Sequence, residues 1–598
     1  MSEALVLHQI HLSIANQTLL KDVNLVLPLP SKTAIIGANG TGKSTLIHML
    51  SGNISPDQGA MNWPSHCHIE VLDQNPQLQS KDTIFSCIAR GLGERGDAIA
   101  QWHLNPEDVE TINNMDGWPL IQSIEACLRE FNLASDHLIS TLSEGQKRKV
   151  AFARAVISQP DVILLDEPTN HLDMSTIDWL IQWCQNFKGS LIIVSHDRYF
   201  IDQTCHNIIE IDHQSMMRWS GNFSTHQQRK IAYLQDLEKA RDRLDIRLKE
   251  EQRWLERGVT ARRRRNMGRL RALDDLKKQR QALNRNDRTI QLSNQKTTHA
   301  AQKLMQFKQV SFAYEKNILS NFNFNLMKGD HIGIIGPNGC GKSTFIQLMM
   351  GTLAPTSGEI IRSDSLNIVY FDQKRATLDL SKTLYDNVGG GLSHIEIEGK
   401  KKHIISYLED FLFTPDRINT PMKRFSGGEK HRALLAKLFL QPANCYILDE
   451  PTNDLDIETI EALETFLIAS KAAVIVVSHD RTFIDHMAHK TLFYNQNQFI
   501  EYAGGYEDAI LQGAICSEIK SESSPKKKNV NKEDYKARRK IEDKITKEES
   551  KLKALEDRLT VPEVYNDIEK ITEIKKKIKV QSTLIEALYD QWSLFDSN

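Results

Sequence analysis

Two kinds of hydrophobic patterning alternate along the chain. Short unbroken apolar runs, Ala34-Ile35-Ile36, Val162-Ile163-Leu164-Leu165 and Leu191-Ile192-Ile193-Val194, have counterparts in the second half at Ile332-Gly333-Ile334-Ile335, Tyr446-Ile447-Leu448 and Val474-Ile475-Val476-Val477. Runs this short, bounded by turn residues, predict strands. The same ordered series appears twice, which predicts duplicated domains rather than a solenoid. Over residues 230–288 the pattern changes: proline is absent, and Leu234, Leu237, Leu244, Leu248 and Leu255, then Leu273, Leu276 and Leu283, fall mostly at three-and-four spacing. That spacing predicts two helices folded into a hairpin. A further seam, Ile541, Ile545, Leu552, Leu555 and Leu559, is followed after Pro562 by Ile571, Ile574, Ile578, Ile585, Leu588 and Trp592. It predicts an antiparallel coiled-coil hairpin, reached through a hinge that includes Ser523-Ser524-Pro525.

The expected organisation is therefore α/β: a first domain over 1–226, a helical linker over 227–300, a second domain over 301–515, a flexible stretch over 516–530 and a coiled-coil tail over 531–598. With 598 residues, 40% hydrophobic and 25% charged, the composition fits a globular protein of more than one domain. The apolar runs fall far short of the ~20 residues that cross a bilayer. The first residues, Met1-Ser2-Glu3-Ala4-Leu5, resemble no secretory signal, so a cytoplasmic protein is expected. Eight scattered cysteines suit a reducing compartment better than a disulfide framework. His66-Cys67-His68 lacks the second ligand pair that a zinc site needs.

Each half carries a glycine-rich loop after its first apolar run: Gly37-Ala38-Asn39-Gly40-Thr41-Gly42-Lys43-Ser44-Thr45 and Gly336-Pro337-Asn338-Gly339-Cys340-Gly341-Lys342-Ser343-Thr344. Such a P-loop turns successive backbone N–H groups and a helix N-terminus toward phosphate, while its lysine reaches the terminal phosphates. Lys43 and Lys342 take that role, and the hydroxyls of Ser44 and Ser343 are expected to ligate Mg²⁺. ATP and Mg²⁺ are thus the expected cofactors. The next apolar run ends in Asp166-Glu167 and Asp449-Glu450, which assigns metal binding to the aspartates and polarisation of an attacking water to the glutamates. The third run leads to Ser195-His196-Asp197 and Ser478-His479-Asp480, where His196 and His479 can reach a γ-phosphate. Cys340 stands beside a helix N-terminus, a position that can lower a thiol pKa, so oxidation sensing is a minor expectation there.

The motifs Leu142-Ser143-Glu144-Gly145-Gln146 and Phe425-Ser426-Gly427-Gly428-Glu429, together with Gln74 and Gln373, resemble the signature and Q-loop motifs of ATP-binding-cassette proteins. The resemblance implies that two cassettes meet head to tail, so that Lys43 faces Ser426 and Lys342 faces Ser143. Gly145, Gln146, Gly428 and Glu429 would complete the ATP contacts, and Gln74 and Gln373 the Mg²⁺ sites. Tyr314 would stack on the base, with Ile14 at the matching place in the first half. Intramolecular pairing implies a monomer.

Between the cassettes, Arg257, Arg262, Arg263, Arg264, Arg265, Arg269 and Arg271 form an acid-free run suited to a phosphate backbone. Arg538, Arg539 and Lys540 in the tail extend the basic character. Two cassettes on one chain, a charged helical linker and a basic coiled-coil tail resemble the ABC-F family, with Trp254-Leu255-Glu256-Arg257-Gly258 and Ala89-Arg90-Gly91-Leu92-Gly93-Glu94 pointing to its Uup branch. That resemblance implies an ATPase acting on the ribosome, with rRNA or tRNA as partner. The alternatives are a DNA-handling ATPase working on branched intermediates through its tail, and the motor of a membrane transporter.

Overall fold

The first strand of each half sorts its residues to two faces. In Ala4–Ile14, Leu5, Leu7, Ile10 and Leu12 are buried, and Lys303–Ala313 buries Leu304, Met305, Phe307, Val310 and Phe312. One-sided burial is the signature of an antiparallel sheet packed on one face. These strands centre two such sheets, Gln17–Pro28 with Ala4–Ile14 and Gln58–Asn62, and Asn317–Met327 with Lys303–Ala313 and Ser357–Arg362. By contrast, every residue of Val162–Asp166, Ser190–Val194 and Ala473–Val477 is buried, as parallel strands covered on both faces require. The computed structural model describes residues 4–257 and 303–514, apart from 15–16, 74–77, 105–108, 116, 171, 213, 315–316, 373–377, 398–399, 412, 426, 442, 454 and 496–497.

The buried strands form two six-stranded sheets of identical topology. In the first the order is Ile69–Leu72, Val162–Asp166, Ser190–Val194, Lys32–Gly37, Asn207–Asp212, Ser215–Ser220. In the second it is Ile368–Asp372, Cys445–Asp449, Ala473–Val477, His331–Ile335, Lys490–Asn495, Gln498–Ala503. All neighbours are parallel except the last pair of each sheet. Period-two alternation feeds two cores. Ile35, Val162, Leu164 and Ile192 face the antiparallel sheet, whereas Ala34, Ile36, Ile163 and Leu165 face the helical layer. The ends of the three central strands that carry the motifs therefore lie side by side at one sheet edge, where α/β proteins bind ligands.

The two cassettes interlock. Met174, the first residue of helix Met174–Asn186, joins the core of the second cassette, while Ile457, first of helix Ile457–Ala469, packs on the helical core of the first. Beyond the first sheet, helix Phe223–Arg257 runs unbroken through Leu234, Leu237, Leu244, Leu248 and Leu255. The second expected linker helix, most of the arginine run and the coiled-coil tail lie outside the described residues. Among the described residues no helix is long and apolar enough to cross a membrane.

Candidate active site

Each P-loop ends in a left-handed glycine that caps its helix: Gly42 (φ 95°) before Lys43–Leu50 and Gly341 (φ 104°) before Lys342–Met350. A Cβ on Gly42 would meet Leu19 Cδ1 at 2.9 Å, and one on Gly341 would meet Ile318 Cγ2 at 2.3 Å, so glycine is needed for space as well as for φ. Lys43 Nζ donates to the carbonyls of Gly37 (2.8 Å) and Ala38 (3.1 Å). Burial lowers its pKa, against the opposing pull of Glu167, Asp456 and Asp166. Lys342 Nζ donates to Gly336 O at 2.7 Å and lies 3.1 Å from His479 Nε2.

Glu167 and Glu450 leave their strands with φ of 45° and 48°. Non-glycine residues seldom adopt this region, and such outliers gather where the surroundings enforce them for function. Their backbones are held by Glu167 N–H to Val194 O (2.9 Å) and Glu450 N–H to Val477 O (2.8 Å). His196 Nε2 then lies 3.3 Å from Glu167 Oε1, and His479 Nε2 lies 3.4 Å from Glu450 Oε1. Burial, reinforced by Lys43, pushes the His196 imidazole well down; burial and Lys342 take His479 to about 3. Burial thus favours the neutral form of both rings. Burial pushes the Glu450 carboxyl up to about 8, with Lys342 opposing.

In each half the motif residues of strand end, P-loop and histidine segment meet at one place. At the first P-loop, Gly428 of the second cassette lies so close to Asn39 that a Cβ on it would be 2.3 Å from Asn39 Nδ2. Asn39 N–H also donates to Asp456 Oδ2 of the second cassette at 2.8 Å. In the first signature, Ser143 Oγ accepts from Gln146 N–H (3.3 Å) and Gln146 Oε1 accepts from Ser143 N–H (3.1 Å), a capping box opening Glu144–Val156. Glu429 pairs instead with Arg417 at 3.1 Å. Tyr314 and Ile14 are both exposed, and Tyr314 packs edge-on against Phe312. Gln74, Gln373 and Ser426 lie outside the described residues, as do the basic residues beyond Arg257. Cys340 departs from the sensing expectation: burial pushes its thiol up, and the nearby Lys342 only partly opposes this.

Several residues at this interface carry no weight in a motif reading. Asp456 caps Ile457–Ala469 through Thr459 N–H (2.9 Å) while holding Asn39 across the interface, with Arg432 3.7 Å away. Asp173 caps its own helix through Thr176 N–H at 3.0 Å. Asp-x-x-Thr after each acidic strand signals a helix start, but nothing in it announces a contact with the other cassette. Arg148 donates to Glu167 O (2.9 Å) and Asp73 O (3.1 Å), steadying the backbone of the catalytic candidate. Arg198 and Arg481 cross the interface in opposite directions, Arg198 to Glu464 and Arg481 to Asp178.

Comparison with known proteins agrees with this geometry. The family model described as "ABC transporter" matches residues 20–170 and 319–453. The ATP-binding protein Uup of Haemophilus influenzae is 35% identical over 97% of this chain and 96% of its own length, and that of Escherichia coli K12 is 35% identical over 84% and 82%. The energy-dependent translational throttle protein EttA of E. coli K12 is 31% identical over 81% of this chain and 91% of its own length. Among solved structures, the archaeal ribosome recycling factor aABCE1, in complex with the stalk protein aP1, superposes with a TM-score of 0.54 at 18% identity, covering 84% of this chain and 91% of that one. The last likeness concerns the fold. Duplicated cassettes packed on each other, and 35% identity to Uup over almost the whole chain, establish that the chain belongs to the ABC-F ATPases as a Uup-like member and hydrolyses ATP.

Proposed function

We propose that the chain is a cytoplasmic, monomeric ATP-driven clamp whose arginine-rich linker engages structured RNA on the ribosome. The observation that carries this reading is the hydrogen bond from Asn39 N–H in the first P-loop to Asp456 in the second cassette, because it makes a nucleotide site a property of both cassettes at once. EttA, named a translational throttle, supplies the direction toward translation.

In this reading Lys43 and Lys342 turn from their loop carbonyls to the phosphates of ATP. The neutral His196 and His479 donate toward the γ-phosphate, and Glu167 and Glu450 orient and polarise the attacking water. Ser143, Gly145 and Gln146, and Ser426, Gly428 and Glu429, reach the γ-phosphate from the opposing cassette, while Tyr314 stacks on the base. Asp166 suits a cation: its Oδ1 is buried without a hydrogen-bond partner, and Ser44 donates to the carboxylate. Ser44 and Asp166, and Ser343 and Asp449, would hold Mg²⁺ with Gln74 and Gln373, and the ion would neutralise phosphate charge. Contacts that exist only with the γ-phosphate present favour the closed clamp. Shifting such an equilibrium from mostly open to mostly closed needs about 5.5 kcal/mol of differential affinity. A few charge-assisted hydrogen bonds of about 1.5–3 kcal/mol each suffice.

The test is the double change Glu167→Gln and Glu450→Gln, which is expected to lower hydrolysis at least about 10²-fold while leaving ATP bound. Cosedimentation with ribosomes that is lost when Arg262, Arg263, Arg264 and Arg265 are neutralised supports the reading. Recovery with branched DNA, dependent on the tail from residue 531 onward, would replace it with the DNA-handling alternative.

A further inference from the structure

The first two turns of helix Phe223–Arg257 are tied to both cassettes. On the first cassette, Glu210 takes Lys230 Nζ at 2.6 Å, His226 Nε2 at 3.2 Å and Trp219 Nε1 at 3.1 Å. Burial works against the Glu210 charge, but His226 and Lys230 together hold the carboxyl down at about 2. On the second cassette, Gln227 Nε2 donates to Glu461 Oε1 at 3.0 Å, and Lys230 Nζ lies 4.0 Å from Glu458 Oε1. Glu458 and Glu461 sit in the first turns of Ile457–Ala469, the helix whose cap, Asp456, holds Asn39 of the first P-loop. Glu461 lies five positions beyond Asp456, a helical rise of about 7.5 Å. A single rigid element thus touches the first nucleotide site at its cap and the linker helix one turn later.

The internal duplication supplies a control. The offset of 283 residues that relates Asp166 to Asp449 puts Ser175 and Asp178 at the positions of Glu458 and Glu461, and Ile510 and Gly513 at those of Gln227 and Lys230. Asp178 is bonded to Arg481 instead, at 2.6 Å, and the helix matching the linker, Tyr506–Leu511, ends within two turns. Among the described residues, the tie to the linker helix belongs to one half.

We propose that Gln227 and Lys230 are positioning residues that couple the nucleotide state of the first composite site, and not of the second, to the linker helix. When ATP binding shifts the first P-loop and with it Asp456, Ile457–Ala469 moves as a body and carries the base of Phe223–Arg257 with it. A demonstrated two-state element biased by both sites is what distinguishes such coupling from mere proximity. The inference rests on the reading that the linker is the RNA-facing part, but its test needs no RNA.

Spin labels are placed at Ile246→Cys on the linker helix and Ile468→Cys on the exposed side of the second cassette helix, both in full-length protein. Cys67→Ser and Cys516→Ser remove competing thiols. With ATP, the Glu167→Gln protein is expected to shift the inter-label distance relative to the nucleotide-free protein, and Glu450→Gln to shift it much less. Adding Gln227→Ala and Glu461→Gln abolishes the shift, while these two changes in the otherwise unaltered chain keep ATP hydrolysis within about twofold, as substitutions away from the chemistry do. Gln227→Ala alone repeats the test without touching the second cassette. Equal shifts from both traps, or a shift that survives loss of the Gln227–Glu461 bond, would overturn the proposal. Ribosome cosedimentation of the same variants is read separately, so failure of the translation reading leaves the distance result standing.

Discussion

In the first nucleotide site the P-loop is gripped from outside: Asn39 N–H is held by Asp456 and its side chain lies against Gly428, both from the other cassette. In the second site the described P-loop contacts stay within the cassette, with His479 Nε2 3.3 Å from Asn338 Oδ1 and 3.1 Å from Lys342 Nζ. Asp173, the counterpart of Asp456, is bound by Thr176 and Ser175 of its own helix. Burial opposes its ionisation, yet these hydrogen bonds hold its carboxyl below the usual range. Matching motifs therefore supply matching chemistry without matching mechanics. The motif residues are set by what phosphate transfer needs, whereas the residues that tie one cassette to the other were free to diverge.

The widest contrast lies in the paired arginines. Arg198 is 3% exposed and meets Glu464 and, at 3.7 Å, Asp480, both 8% exposed. Arg481 reaches Asp178, which is 44% exposed, and is also packed between the rings of Tyr199 and Tyr506. Removing one partner of a buried ion pair leaves a desolvated charge and costs about 3–5 kcal/mol. Losing buried Arg481 leaves behind a carboxylate that solvent already reaches, and the ion pair itself is then worth about 1 kcal/mol or less. Arg198→Ala is therefore expected to lower the unfolding midpoint of the cassette unit in urea clearly more than Arg481→Ala. Equal losses would mean that the ring contacts of Arg481 compensate for the exposure of Asp178, and that the halves are mechanically alike.

A smaller effect separates the two signature glycines. A Cβ on Gly428 would stand 2.3 Å from Asn39 Nδ2 and 2.9 Å from its Cγ, so the whole side chain has to move; a Cβ on Gly145 first meets Thr176 Oγ1 at 3.2 Å, in its own cassette. Overpacking of this kind costs about 1–3 kcal/mol. Gly428→Ala is expected to weaken closure at the first site and lower kcat/KM for ATP several-fold or more. Gly145→Ala should lower it by less, because its added Cβ meets its own cassette and not the opposing P-loop. Comparable losses would show that the first signature approaches the second P-loop as tightly during turnover.

This asymmetry was largely invisible in the sequence, and the reason is physical. Strand runs, P-loops, acidic pairs and histidines are local patterns in which spacing alone fixes the geometry, so Lys43, Glu167 and His196 could be placed together from the chain. Asp456, Arg198 and Gln227 act on residues more than two hundred positions away, and their partners depend on how two domains dock. The linker's leucine spacing did predict the helix that Phe223–Arg257 forms. It could not say that its first two turns are bolted to Glu210 and Glu461, because those contacts come from polar residues on the flank of the seam. At Cys340 the minor expectation of a sensing thiol weighed the helix N-terminus alone, and the burial that raises its pKa comes from the fold around the loop.

The least conspicuous difference should appear in the pH dependence of stability, through Glu450. Burial raises this carboxyl from 4.5 to about 8, so the folded protein binds its proton more tightly than the unfolded chain does. A raised pKa contributes stability that is fully present below pH 4.5 and is lost as pH climbs from there through about 8. Glu450→Gln keeps the shape and removes the ionisation, so its Tm should match that of the parent near the acid end of this window. It should exceed the parent by a few degrees at pH 8 and above, measured by calorimetry with and without ATP and Mg²⁺. The gain should widen when nucleotide and metal are present, because the variant keeps ATP bound and a ligand that binds only the folded state stabilises it. If Glu450→Gln follows the parent at every pH, the carboxylate is already solvated or paired in the free protein. The second site would then be poised for hydrolysis before ATP arrives, rather than assembled by it.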